Sequence, residues 1–406
     1  MVNGKAQYPM LAQILASLAL AIWLYLLLGR GGFWLSSERD DGEPAPVEAG
    51  SKKDWPKLAV VIPARDEAEG IGACIGSLLQ QDYAGELTIV LVDDGSSDGT
   101  AAIARQTAAA LAAPSLSLPG SRREGALDVV AGAPLPAGWT GKLWALAQGI
   151  ETAGRLTPAP EYFLLSDADI VYAPGVLTAL VTRATAGGLV LTSLMVKLRC
   201  ESLAERALIP AFIFFFEMLY PFAWINRSQA ATAGAAGGCM LVRNDTLAQA
   251  GGIAAIRNAL IDDCALAGTL KARGPIWLGL TQRAHSIRAY PDFEDIRRMV
   301  ARSAYAQLRY SPLLLMGVIG GMGLTYLAPP LFALFGTGWA QLSGLAAWLL
   351  MAIAFQPTLR FYRVSPLWGI GLPAIAFCYT LFTLDSALQF WRGKGGLWKG
   401  RVQARS

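Results

Sequence analysis

Residues 8–28 form an almost uncharged apolar stretch, and three more follow Arg309, at 311–335, 339–355 and 367–390. A run of about 20 apolar residues is long enough to cross a bilayer as a helix. With 54% hydrophobic and only 16% charged residues, the chain of 406 is too apolar for one soluble domain. Membrane segments at both ends of a water-soluble middle are therefore expected. The first stretch lacks a small-residue cleavage site and has only Lys5 before it, which favours an anchor over a cleaved signal peptide. Arg30, Arg39, Lys52 and Lys53 follow it and favour a cytosolic middle.

The middle carries a different pattern. LAVVIPA, then the helically spaced IGACIGSLLQQ, then LTIVLVDD reads as strand, helix, strand, so the sheet should be parallel. AAIARQTAAALAA supplies a helix, 114–125 a loop, LDVVAG a short strand and KLWALAQGIETAG another helix. YFLLSDADI is an apolar run that stops at Asp167 and Asp169, and 188–194 reads as one more strand. The aromatic stretch 208–225 is broken by Glu217 and two prolines, which suits segments lying in the membrane interface.

Composition narrows the chemistry. Five scattered cysteines without a C-x-x-C argue against a zinc site or a disulfide framework. His285 is the only histidine, so carboxylates must carry acid–base work. The net charge of +4 is small and its basic residues gather near apolar ends, which favours lipid headgroups over nucleic acid. Three acidic groups fall at the ends of expected parallel strands: Asp66 and Glu67, Asp93 and Asp94, Asp167 and Asp169. Asp262 and Asp263 open a helix after the glycine-rich loop that ends in GGCMLVR. Clustered carboxylates repel one another unless a cation or a donor-rich ligand joins them. Asp167 and Asp169 suit a divalent cation shared with phosphate oxygens.

VVIPARDEAEGI, LVDDGSSDGT, GKLWALAQG, LSDADI, GGCMLVR and DDCALA resemble, in order, the successive motifs of glycosyltransferase family 2. GWTGKLWAL, QLRYSPLLL and WRGKGGLWKGR resemble its hopanoid-associated branch, a relative of the ceramide glucosyltransferases. The resemblance implies a type A glycosyltransferase α/β fold, Rossmann-like, between N- and C-terminal transmembrane helices. Pro63, Ala64, Arg65 and Glu67 would border the nucleoside, with Asp66 standing where the family usually has Asn. Asp94, beside Asp93, would accept the base N–H, which points to uridine. Lys142 would lie close to the donor, and Asp167 with Asp169 would hold Mg2+ or Mn2+ on the diphosphate. Gly237 and Gly238 would leave room for the acceptor. Asp263 would be the general base, with Asp262 replacing the family's Glu before it. The family's Q-x-x-R-W departs here to Gln307, Leu308, Arg309 and Tyr310, so Arg302 or Arg309 could pair the diphosphate, and membrane-edge anchoring is an equal alternative.

The expected organisation is an anchor at 1–35, a linker at 36–56, a catalytic domain at 57–310, membrane segments at 311–390 and a basic tail at 391–406. The expected activity is inverting transfer of one sugar from a nucleotide-diphosphate sugar to a membrane lipid, at the cytosolic face of a bacterial inner membrane. A polyprenyl-phosphate sugar transferase, a polysaccharide synthase and a silent sugar-nucleotide-binding protein are the alternatives. Three spans between a cytosolic domain and a cytosolic tail do not close, and re-entrance of the last stretch, with Pro373 and Asp385, is the expected resolution.

Overall fold

The structure is a computed structural model and describes residues 7–41, 55–112, 126–393, 397–398 and 401–402. The expected loop at 114–125, most of the linker and most of the basic tail lie outside the described residues. The chain divides into two compact units. One comprises Glu38–Arg199, Trp224–Ala289 and Leu397–Ser406; the other comprises Met1–Ser37, Cys200–Ala223 and Tyr290–Gly396.

The first of these units is built on an eight-stranded sheet. Its strands are β1 (Leu58–Ala64), β2 (Leu87–Asp93), β3 (Leu127–Ala131), β4 (Tyr162–Ser166), β5 (Ile170–Tyr172), β6 (Leu191–Lys197), β7 (Cys239–Arg243) and β8 (Ile276–Ser286). They lie in the order β3-β2-β1-β4-β7-β6-β8-β5. All seven residues of β1 are buried. Helices cover both faces of such a strand, which is why it reads as an unbroken apolar run. β1, β2, β3 and β4 are parallel, so their carboxyl ends, with Asp66, Glu67, Asp93, Asp94, Asp167 and Asp169, share one edge.

The sheet is mixed, which corrects the expected all-parallel arrangement. β7 runs antiparallel to both β4 and β6, and β5 antiparallel to β8. Strand direction follows where the connecting chain returns, and here it returns to β7 only after residues 203–225. Residues 38–41 are not a free linker. Asp40 N–H donates to the Leu280 carbonyl at 2.9 Å and Leu280 N–H to the Glu38 carbonyl at 2.9 Å. The Asp40 carboxylate, 3% exposed, accepts from Arg283 at 2.7 Å and Thr281 at 3.3 Å.

The other unit holds the apolar helices. Among the described residues, five helical stretches are long and apolar enough to cross a membrane: Met10–Gly29, Leu203–Ile225, Pro312–Phe335, Gly338–Tyr362 and Trp368–Trp391. Residues 290–310, expected in the catalytic domain, pack here instead. The helix Phe293–Ala301 buries Ile296, Val300 and Ala301 and keeps Arg298 exposed. Phe293 meets Phe382 at 5.0 Å, and Arg297 pairs with Asp385. The last stretch is one unbroken helix, Trp368–Trp391, with Pro373 inside it. It lacks the turn that a re-entrant segment needs, so the expected re-entrance there is not what forms. Asp385 is accommodated by its ion pair and by Gln389, which donates to it at 2.6 Å.

Candidate active site

The helix Gly141–Gly154 brings Lys142 to the sheet edge. Thr140 caps it, its hydroxyl accepting from Leu143 N–H at 3.3 Å. Gly149 lets the helix press onto the sheet, since a Cβ there would lie 2.4 Å from Val61 Cγ1. Lys142 Nζ then sits 2.9 Å from Asp167 Oδ1 and 3.3 Å from Asp262 Oδ2. Burial alone would depress this lysine, but Asp167, Asp262 and Asp263 outweigh it and hold the ammonium above its usual range. Asp167 is raised above the usual carboxylate range, by lost hydration and by Asp169 and Asp262, against the pull of Lys142.

Asp262 and Asp263 open the helix Asp262–Lys271. Asp263 Oδ1 accepts from Cys264 N–H at 2.7 Å and Oδ2 from Gly237 N–H at 3.0 Å. Burial, then Asp262 beside it, push the Asp263 carboxyl up to about 6. The backbone approaches the carboxylates closely at Gly237, where a Cβ would lie 3.3 Å from Lys142 Nζ and 3.4 Å from Asp263 Oδ2. Gly238 is crowded from another side. A Cβ there would lie 3.1 Å from Val196 Cγ2 and 3.3 Å from Ile170 Cδ1, so the backbone packs closely against these side chains. At the far end of the helix, Lys271 Nζ donates to the carbonyls of Trp224, Ile225 and Thr232, at 3.3, 2.7 and 2.7 Å. The three N–H groups of the ammonium are thus used to fix the loop that leads to Gly237.

At the end of β1 the expected nucleoside loop is shorter than the motif suggests. Pro63 and Ala64 belong to the strand, and the turn proper is Arg65, Asp66 and Glu67. The β4 ladder stops at Val61 and Leu165, so Pro63 lies beyond it and its missing N–H costs no bond on that side. Asp66 has φ 49°, a left-handed conformation that Asn and Asp tolerate best, which accounts for Asp at the family's Asn position. Its Oδ1 accepts from Ser97 N–H at 2.8 Å and its own N–H donates to Ser96 Oγ at 3.0 Å, locking the turns after β1 and β2 together. Asp93 Oδ1 accepts from Ser96 N–H at 3.1 Å. Asp94 is 2% exposed, with Arg65 Nη1 at 3.7 Å from its Oδ2.

Two residues that sequence reasoning missed complete this edge. Ser286 Oγ donates to Asp169 Oδ2 at 2.7 Å, and Arg288 Nε to the same oxygen at 3.2 Å. Arg288 Nη2 also donates to both oxygens of Glu67, at 2.7 and 2.8 Å. Both follow or end β8, a strand whose alternation from Thr281 to Ser286 was the available signal. Arg302, Gln307, Arg309 and Tyr310 belong to the other unit. There Gln307 Nε2 donates to Tyr220 Oη at 2.6 Å, and Tyr310 stacks on Phe390 with centroids 4.4 Å apart.

Residues 59–250 match the family model described as glycosyl transferase family 2. That stretch of the chain is similar to a glycosyltransferase family 2 domain. Among curated proteins, an N-acetylglucosaminyltransferase of Mesorhizobium japonicum is 38% identical over 61 residues, 15% of this chain and 14% of that protein. Another, of Rhizobium meliloti, is 40% identical over 57 residues, 14% and 13% of the two chains. The match thus spans about a seventh of the length of these relatives. Among solved structures, a mannosyltransferase from Pyrobaculum calidifontis in complex with GDP-Man and Mn2+ is 18% identical, with a TM-score of 0.52. That likeness covers 94% of this chain and 99% of that one, and the shared fold is the type A glycosyltransferase fold.

Proposed function

We propose that this protein is a membrane-bound inverting glycosyltransferase. It moves a single sugar from a nucleotide-diphosphate sugar, by preference a UDP-sugar, to a lipid acceptor related to the hopanoids. One observation carries this reading: Lys142 bridges Asp167 of the D-x-D pair and Asp262, the neighbour of Asp263. Donor-phosphate residues and a general base are thereby gathered around one ammonium. The fold shared with a mannosyltransferase solved with GDP-Man and Mn2+ supports it.

In this reading Asp94 accepts the base N–H, Glu67 and Arg65 border the nucleoside, and Lys142 faces the diphosphate. Asp167 and Asp169 would hold Mg2+ or Mn2+. Among the described residues no group of three or more acidic, histidine or cysteine side chains forms a closed cage. Two carboxylates suit a cation that completes its shell with phosphate and water. When bound, it would neutralise the charge of the diphosphate leaving group. Asp263, ionised above pH about 6 and oriented by two backbone N–H groups, takes the proton of the attacking hydroxyl. The test is transfer from a panel of UDP- and GDP-sugars into a membrane lipid extract, with the labelled lipid identified. Labelled polyprenyl phosphate alone, or a growing polymer, would overturn the assignment in favour of the alternatives.

The membrane topology follows two constraints. β6 precedes residues 203–225 and β7 follows them, yet the two strands pair in one sheet. A single crossing there would separate these partners, which favours helices lying at the interface. The chain from Ser286 to Tyr310 contains no candidate span, and Tyr310 stacks on Phe390. The three later stretches therefore begin and end at the same face and make an even number of crossings. The tail is expected on the cytosolic side with the sheet. A protease or reporter test that finds the carboxyl terminus outside would overturn this placement.

A further inference from the structure

We infer that Arg288 is a positioning residue that presents the second aspartate of the D-x-D pair to the donor-bound cation. The inference rests on the metal reading proposed above. Arg288 has one guanidinium and two carboxylate partners from different strand ends. Nε reaches Asp169 Oδ2 at 3.2 Å, and Nη2 reaches both oxygens of Glu67 at 2.7 and 2.8 Å. The two carboxylate side chains are only 10% and 12% exposed. Ser286 Oγ adds a second donor to the same Asp169 oxygen, at 2.7 Å, and its Oγ also accepts from Arg288 N–H at 3.3 Å.

Both donors thus converge on Oδ2, which fixes the carboxylate plane and leaves Oδ1 outside the clamp. Asp169 stands in the loop between β4 and β5, and Glu67 in the turn after β1. Arg288 therefore ties the aspartate to the turn that borders the nucleoside. It also offsets part of the repulsion between Glu67 and Asp169, whose carboxylates are nearly buried. A lysine would keep the charge but lose the planar fork that serves two partners at once.

Groups that orient a metal-binding carboxylate typically change metal affinity by about 10–100-fold when removed. The experiment uses the full chain in lipid nanodiscs and titrates UDP binding calorimetrically, with and without Mn2+. In Arg288→Met the Mn2+ concentration that supports half-maximal UDP binding should rise by about tenfold or more, a clearly larger loss than any in UDP affinity without Mn2+. Arg288→Lys should restore only part of it. Ser286→Ala, which removes the smaller donor and tests the same oxygen if the first variant does not fold, should shift the midpoint less and in the same direction. Unshifted midpoints in these variants would overturn the proposal. Equal losses with and without Mn2+ would also overturn it, because the guanidinium would then touch phosphate directly. A wild type whose UDP binding ignores Mn2+ would remove the metal reading itself, an outcome distinct from a failure of Arg288 alone.

Discussion

Replacing Asp263 by Asn is expected to lower turnover by about 10²–10⁴-fold, the usual contribution of a positioned general base, with donor affinity nearly unchanged. The acceptor hydroxyl needs a group to take its proton, and the amide cannot. The nucleotide is held elsewhere in the proposed site, by Asp94, the turn after β1 and the D-x-D pair. The geometry adds a condition on the control. Both Asp263 oxygens accept backbone N–H groups, from Cys264 and Gly237. An Asn side chain can accept only one of them and turns an N–H toward the other, at a cost of about 1–3 kcal/mol in stability. Thermal unfolding must therefore accompany the kinetics. The pH profile separates the two effects. With its carboxyl pushed up to about 6, Asp263 is a competent base above that pH and protonated below it. Wild-type kcat/KM should be flat above pH about 6 and fall about tenfold per unit below, and the variant should lose that limb. Near-normal turnover, or joint loss of donor binding and turnover, would remove Asp263 from the role of base.

Stripping divalent cations with a chelator is expected to abolish transfer, and Asp167→Ala or Asp169→Ala to weaken nucleotide-sugar binding. Charge neutralisation of a leaving group by a metal is worth several kcal/mol, roughly 10³-fold or more in rate. The ion pairs make these variants informative. Without Asp167, Lys142 still has Asp262 at 3.3 Å; without Asp169, Arg288 still has Glu67 at 2.7 Å. Neither change strands a buried cation, so both proteins should fold, and their unfolding temperatures should stay close to wild type. Full activity in excess chelator would dismiss the metal.

What could be read in the sequence, and what could not, divides along the sheet. β1, β2 and β4 are buried on both faces and parallel, so each reads as a short apolar run stopped by acidic residues. Their carboxyl ends carry Asp66, Asp94 and Asp167, and the edge could be named before any coordinates. β8 escaped because its first half, IWLGL, carries a glycine and its second half alternates through Gln282, Arg283 and His285. That alternation was a usable strand signal, but it is short and broken by the adjacent polar pair Gln282 and Arg283. With β8 unseen, Ser286 and Arg288 had no address. The antiparallel entry of β7 was equally hidden, since strand direction depends on where a connection returns, not on side-chain period. The Lys142 bridge is a different case. The motif placed a lysine near the donor, but only the loop through Gly237 shows that it also faces Asp262 and Asp263.

The place of β7 governs the order in which the enzyme can be made. β4, which ends at the D-x-D loop, has β1 on one side and β7 on the other, and β7 joins it to β6. The ribosome delivers β1, β4 and β6 first, then the apolar residues 203–225, and only afterwards β7, Gly237 and the Asp262–Asp263 pair. Until β7 arrives, the half-built sheet exposes the unpaired edges of β4 and β6, the sort of surface that aggregates. A fragment ending before residue 203 could therefore never close its own sheet, because β7 and β8 both lie beyond it.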